Sequence, residues 1–146
     1  MIQTQSAILD YLSDGKAANF SMVQTIKKYR GEIAKAAAEP ERTRKFAEAL
    51  PAVYVCMIDG NPIAQTPEKQ FDLFIITEDK IFDQEQKELD ALEVIDGICA
   101  YIEESPEWTY NDKVYLIDTE KVKVKTLLSD ARFIIIAISL YIKNLD

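Results

Sequence analysis

The sequence of 146 residues contains no histidine. This absence excludes catalytic systems that depend on an imidazole, such as Ser–His–Asp triads and Cys–His pairs, and it excludes metal sites with imidazole ligands. The two cysteines, Cys56 and Cys99, are too few for a disulfide framework or a four-cysteine zinc site. Each lies within an apolar run, which favours a reduced thiol in the hydrophobic core over a reactive one.

Glycine and long apolar runs are also scarce. The four glycines are far apart in the sequence, which excludes the glycine-rich loops that bind phosphate groups. The longest apolar run, 133–140, is too short to span a membrane, and the N-terminal residues lack the basic and apolar regions of a signal peptide. We therefore expect a soluble protein that folds in a reducing cytoplasm and has no membrane partner.

The composition is that of a globular protein with an excess of acidic residues. Hydrophobic residues make up 48% of the chain and charged residues 29%, and the length suits a single domain over residues 1–146. The formal net charge is −8. Binding to nucleic acid needs clustered positive charge, so this balance argues against a nucleic-acid partner, sequence-specific or not.

The hydrophobic pattern predicts an α+β fold, with helices packed on an antiparallel or mixed sheet of about five strands. The predicted helices span 2–13, 41–49 and 84–104, and the predicted strands span 22–30, 53–58, 71–77, 114–126 and 133–142. The first helix is expected to stop at 13–15, where Ser-Asp-Gly follows. A long loop, 59–70, joins two buried strands, and a turn is expected at 127–130.

Two elements carry the strongest patterns. The strand over 133–142 has apolar residues at both odd and even positions, so we expect it to be central and covered on both faces. The helix over 84–104 begins after a possible capping box, Asp83 with Gln86. Its apolar residues at spacings of three and four are expected to face the core, and they are Leu89, Leu92, Ile95, Cys99 and Ile102.

Carboxylates are the only abundant groups with catalytic potential. The densest pairs, Glu78-Asp79 and Glu103-Glu104, lie where a strand or a helix ends, and adjacent residues there point apart into water. We therefore interpret them as solvated acidic surface rather than as an acid–base pair. No catalytic residue, cofactor or metal site is expected from these patterns.

Three lysines form the most specific polar pattern. Lys121, Lys123 and Lys125 recur at period two, so they share one strand face while Val122 and Val124 point into the core. This pattern is common on a solvated sheet face or on an edge strand that lysines protect from unwanted pairing. The alternative is contact with an acidic partner surface.

Charge is divided unevenly along the chain. Residues 1–50 carry eight Lys and Arg against six Asp and Glu, whereas residues 51–146 carry nine against nineteen. The basic candidate surface comprises Arg42, Arg44 and Lys45, and the acidic candidates lie along the long helix at Glu85, Glu88, Glu93, Glu103 and Glu104. Opposite charges on unlike patches favour head-to-tail association of identical subunits. Equally, both patches are compatible with solvated surface and a ring closed by apolar contacts or added strands.

The order of elements, together with several short segments, points to a known family. The segments are 49–55 (ALPAVYV), 71–76 (FDLFII), the Asp96-Gly97 step within the long helix, and the closing pair 122–126 and 133–142. In these features the chain resembles the tail terminator, or tail completion, proteins of tailed phages over residues 2–143. The likeness is to the family of Mu-like phages and prophages with contractile tails, and more distantly to the minor tail protein that caps the lambda tail tube.

The resemblance implies a structural assembly protein that is not an enzyme. Such proteins form a hexameric ring at the head-proximal end of the tail tube, stop tube polymerisation, contact the last sheath ring and join a neck or head-completion protein. The expected location is the virion tail, after assembly in the host bacterial cytoplasm. The alternatives are a neck adaptor between connector and tail, a host small-molecule-binding or regulatory α+β module, and an enzyme that uses carboxylates alone.

Overall fold

The architecture is taken from a computed structural model that describes residues 2–40, 45–58, 68–78, 84–129 and 133–145, without the side chains of residues 2, 3 and 84–88. These residues form three α-helices, seven strands and a 3₁₀ turn. The elements in chain order are α1 (Ile2–Asn19), β1 (Thr25–Lys28), α2 (Glu32–Ala37), β2 (Ala52–Met57), β3 (Glu68–Glu78), α3 (Gln84–Glu104), β4 (Glu107–Tyr110), β5 (Lys113–Ile117), a 3₁₀ turn (Thr119–Lys121), β6 (Lys123–Ser129) and β7 (Phe133–Asn144). None of the described helices is long and apolar enough to cross a membrane.

The strands form one mixed sheet in the order β1-β2-β3-β7-β5-β4, and β6 also pairs with β7. β1 and β2 are parallel, and the other described strand pairs are antiparallel. β5 and β6 share one edge of β7, where they pair with residues 142–144 and 134–139 respectively. The predicted α+β class is therefore confirmed, with seven strands in place of about five.

β7 is the central strand, as predicted. It pairs with β3 from residue 133 to residue 143 on one side and with β5 and β6 on the other. Residues 133–138 are all buried. Ile136 and Ile138 face the helices, while Phe133 and Ile135 join a second cluster on the opposite face. Apolar side chains at both parities are needed because hydrophobic layers cover both faces at this part of the sheet.

α1 and α3 pack side by side on one face of the sheet, which we call the helix face. The bounds of α3 match the prediction, but the predicted core-facing stripe is wrong at Leu89 and Leu92, which are 52% and 54% exposed. The residues that α3 buries against the sheet are Ala91, Val94, Ile95, Ile98 and Ile102. These five follow helical spacing by themselves, which leaves the two leucines on the outer side.

α1 continues to Asn19, so the predicted stop at residues 13–15 is wrong. Gly15 is buried inside the helix, where a Cβ atom would overlap the ring of Tyr101 on α3. The glycine therefore serves the close approach of the two helices rather than a helix end. The Tyr11 hydroxyl donates to the carbonyl oxygen of Ser105 at 2.8 Å and ties α1 to the end of α3.

The predicted helix over 41–49 is not formed at residues 45–49, and residues 41–44 lie outside the described part. In its place, Phe46 and Leu50 pack on the sheet face opposite the helices, against a cluster that includes Tyr54 and Phe133. The Glu48 carboxylate accepts hydrogen bonds from Lys27 Nζ and from the Tyr54 hydroxyl, both at 3.0 Å. Tertiary contacts with the sheet thus override the helical propensity of this segment.

The predicted strand over 114–126 is divided into β5, the 3₁₀ turn and β6, and β4 precedes it. Asp118 ends β5 and caps the 3₁₀ turn, because its Oδ1 accepts from the backbone N–H of Glu120 at 3.1 Å. The expected turn at 127–130 is wrong at residues 127–129, which belong to β6. Asp83 of the predicted capping box and residues 59–67 of the predicted loop lie outside the described residues, while residues 68–70 begin β3.

Candidate interaction surfaces

The predicted lysine pattern lies at the edge of the sheet, around β6. Lys123 is opposite Ser139 of β7, and Lys125 is opposite Ala137. Both β7 residues point to the face away from the helices, because their neighbour Ile138 joins the helix-face core. Lys123 and Lys125 therefore project from the face of the sheet opposite α1 and α3.

Lys121 differs from the other two lysines because it is already engaged within the chain. Its Nζ donates to Glu68 Oε1 at 2.7 Å, lies 3.8 Å from Asp118 Oδ2 and sits 5.3 Å above the ring centroid of Tyr141. The hydrogen bond to Glu68, strengthened by the negative charges nearby, raises the pKa of the Lys121 ammonium group. Lys121 thus fastens the 3₁₀ turn to the sheet, and we place it outside the free basic surface.

β6 is exposed along most of its length on both of its faces. Val124 is 50% exposed, so the prediction that it enters the core is wrong, whereas Val122 does pack against the core. Leu127 is 43% exposed. The physical reason is position, since β6 lies at the sheet edge, whereas α3 packs mainly on β3 and β7 and α1 packs mainly on β1, β2 and β4. We call Lys123, Val124, Lys125 and Leu127 the β6 patch. It extends around the edge of the sheet, because Val124 projects from the helix face and the two lysines project from the other face.

The solvent side of α3 carries the acidic candidates. Leu89, Leu92, Glu93 and Asp96 are all exposed and follow i, i+3, i+4, i+7 spacing, which places them in one stripe on the helix. We call these four residues the α3 patch. Glu103 and Glu104 are also exposed, at the end of the helix, while the side chains of Glu85 and Glu88 lie outside the described part.

The helix face of the molecule is negative beyond the α3 patch. Burial raises the pKa of the Cys99 thiol, and the carboxylates of Asp96 and Glu103 add to that increase. Burial likewise raises the pKa of the Tyr101 hydroxyl, with further contributions from Asp14 and Asp10 of α1. A raised thiol pKa reduces the thiolate fraction at neutral pH, which disfavours a reactive Cys99.

The structure describes one of the three basic candidates at residues 42–45, which is Lys45. Arg42 and Arg44 lie outside the described residues. Lys45 is exposed and lines a cavity of about 430 Å³ with Phe46, Glu78 and Phe133, among other residues. This cavity lies where segment 45–50 covers the end of the sheet.

The exposed leucines of α3 are the site residues that sequence reasoning missed. A helical projection of 84–104 contains two candidate stripes, and the one that starts at Ala91 has the more continuous set of apolar residues. Its continuity is the signal that assigns Leu89 and Leu92 to the outside. No comparable signal exists for Val124, because exposure at both faces of β6 depends on how far α3 reaches across the sheet.

Comparison with known proteins supports the fold and nothing beyond it. No protein-family model matches the sequence. A search of curated proteins finds no relative. Among solved structures, one chain superposes with a TM-score of 0.53 over 99% of this chain and 94% of that chain, at 12% sequence identity. The name of that protein states no activity, ligand or partner, so the likeness concerns architecture alone.

Proposed function

We propose that this chain is a structural protein of a phage or phage-like tail, which caps the head-proximal end of the tail tube. In this role it stops tube polymerisation, contacts the last sheath ring and forms part of the head–tail joining surface. The proposal places it in the virion, as a hexameric ring without enzymatic activity or cofactor. The family resemblance of residues 2–143 suggests the role.

The observation that best supports this proposal is that the chain has two unlike charged surfaces. The α3 patch lies on the solvent side of the helices, and Lys123 and Lys125 project from the opposite face of the sheet. A closed ring uses two different surfaces of each subunit, whereas a two-fold dimer needs both patches within one self-complementary surface. The α3 patch and the β6 lysines lie on opposite sides of the sheet and carry opposite charge, which suits contact between successive subunits of a ring.

The proposal is tested by adding the purified chain to a polymerising tail-tube protein, taken from the neighbouring genes if they encode one, and examining the products by electron microscopy. We expect tubes that stop growing and carry a ring at one end. Tubes that keep growing, with nothing bound at their ends, would contradict the proposal. Binding to the connector ring instead of the tube would favour the neck adaptor, and absence of sheath and tube genes nearby would favour a host module.

A further inference from the structure

Large apolar side chains exposed to solvent are concentrated in two elements. Within the described residues there are five, and four of them are Leu89 and Leu92 on α3 and Val124 and Leu127 on β6. Scattered exposed leucines are normal, but pairs within one short surface segment mark candidate interfaces. The fifth, Leu145, lies beyond the end of β7.

Each apolar pair is accompanied by unpaired charge, of opposite sign in the two elements. Lys123 and Lys125 make no ion pair within the described residues, and neither do Glu93 and Asp96. All four are exposed. The α3 patch and the β6 patch therefore match each other in composition, with two large apolar side chains and two free charges apiece.

The positions of the patches decide how two copies can meet. The lysines of β6 project from the sheet face opposite the helices, whereas the acidic residues of α3 lie on the outer side of the helices. Edge-to-edge pairing of β6 with its own copy would bring lysines close to lysines, which is unfavourable. Val124 lies on the other face of β6 from the two lysines, because its partner Ile138 belongs to the helix-face core. A contact that reaches both faces therefore runs along the exposed edge of β6, where α3 of a second copy pairs opposite charges and covers apolar surface.

We infer that the chain associates head-to-tail, with the α3 patch of one copy docked on the β6 patch of a second copy. The inference rests on the proposed function only for the closure of such contacts into a ring. The contact itself is argued from the exposed apolar pairs and from the complementary free charges. It places the basic half of the interface on β6 rather than on residues 42–45.

Two charge-reversed variants test this contact. The β6-reversed variant carries Lys123→Glu and Lys125→Glu, and the α3-reversed variant carries Glu93→Lys and Asp96→Lys. Each variant alone presents like charges on both patches, so we expect self-association at least about tenfold weaker than that of the unmodified chain. A mixture of the two in equal amounts restores opposite charges at every contact and is expected to reassociate.

The measurements are sedimentation velocity and native mass spectrometry over a range of concentration and salt. The unmodified chain is expected to dissociate as salt rises, because the Debye length falls from about 8 Å at physiological ionic strength to about 3 Å at 1 M. A control variant with Lys35→Glu and Lys69→Glu reverses two exposed lysines outside the β6 patch and should associate normally. Circular dichroism checks that all variants remain folded.

Three results would overturn the inference. They are a chain that stays monomeric at high concentration and low salt, variants that associate as well as the unmodified chain, and a mixture of the two variants that stays dissociated. Capped tubes together with charge-insensitive association would reject this contact and leave the proposed function standing. Reassociation of the mixture without any effect on tubes would support the contact and reject the proposed function.

Discussion

Gly97 provides a sharp test of the packing between the two long helices. Helix propensity predicts that Gly97→Ala stabilises the protein, whereas the packing predicts that it destabilises it. Gly97 lies within α3, close to the end of α1. In an isolated helix, Gly97→Ala is expected to stabilise by about 1 kcal/mol, since glycine is the poorer helix former. In this structure the added Cβ atom would overlap the carbonyl oxygen of Asn19 and lie 2.9 Å from the carbonyl carbon.

The size of the steric overlap decides whether Gly97→Ala stabilises or destabilises the protein. Carbon atoms pack at about 3.5–4.0 Å, so α1 and α3 would have to separate by about half an ångström or more. The obstacle is backbone, which cannot rotate away as a flexible side chain does. Overpacking of this kind costs about 3 kcal/mol at the upper end of its usual range, and subtraction of the propensity gain leaves a net loss of about 2 kcal/mol.

The separation of the helices would also disturb the aromatic contacts that join them. Tyr11 of α1 lies 4.6 Å from Tyr101 of α3, centroid to centroid, and Phe20 lies 6.2 Å from the same ring. These contacts depend on the close approach that Gly97 permits. Their loss would add to the destabilisation rather than offset it.

The assay is urea denaturation and thermal melting, followed by circular dichroism. A loss of about 2 kcal/mol corresponds to a fall in melting temperature of about 4–8 °C for a domain of this size. Ala100→Gly, at an exposed position on the same helix, is the matched control and should cost about 1 kcal/mol through propensity alone. A Gly97→Ala protein at least as stable as the unmodified chain would refute the packing argument.

Three further predictions concern the central strand, Lys121 and Glu48. Ile136→Asp places a charge in the core beneath the helices and should cost several kcal/mol, so a folded variant with an unchanged melting temperature would contradict the central position of β7. Lys121→Glu should lower the melting temperature more than the same change at Lys123 or Lys125, because it removes the hydrogen bond to Glu68. Equal effects would contradict a structural role for Lys121. Hydrogen bonds from Lys27 and a buried tyrosine hydroxyl hold the pKa of Glu48 below its ordinary value of 4.5. The ionised Glu48 carboxylate therefore stabilises the fold above pH 4.5, and this stabilisation is lost as the pH falls through the lower pKa of the folded state. The difference in stability between the unmodified chain and Glu48→Gln should be constant above about pH 5 and shrink in acid.

The local pattern of apolar residues was sufficient to predict the bounds of α3 and the position of β7. The bounds of α3 were predicted at 84–104, where they lie, because helical spacing and the Ser105-Pro106 stop are both encoded locally. The central position of β7 was predicted because only a strand covered on both faces needs apolar residues at both parities. The contribution of Phe46 and Leu50 was missed, because this segment takes its conformation from packing on the sheet.

For the candidate surfaces, the sequence by itself determined which charges exist and that Lys121, Lys123 and Lys125 recur at period two. The fold is needed to learn that Glu68 engages Lys121, while the other two lysines make no ion pair with the described residues. The tertiary structure also decided that Leu92 and Val124 face solvent, because α3 packs over β3 and β7 and turns its other side outward. Periodicity fixes which residues share a face, but which face is covered depends on partners distant in the sequence.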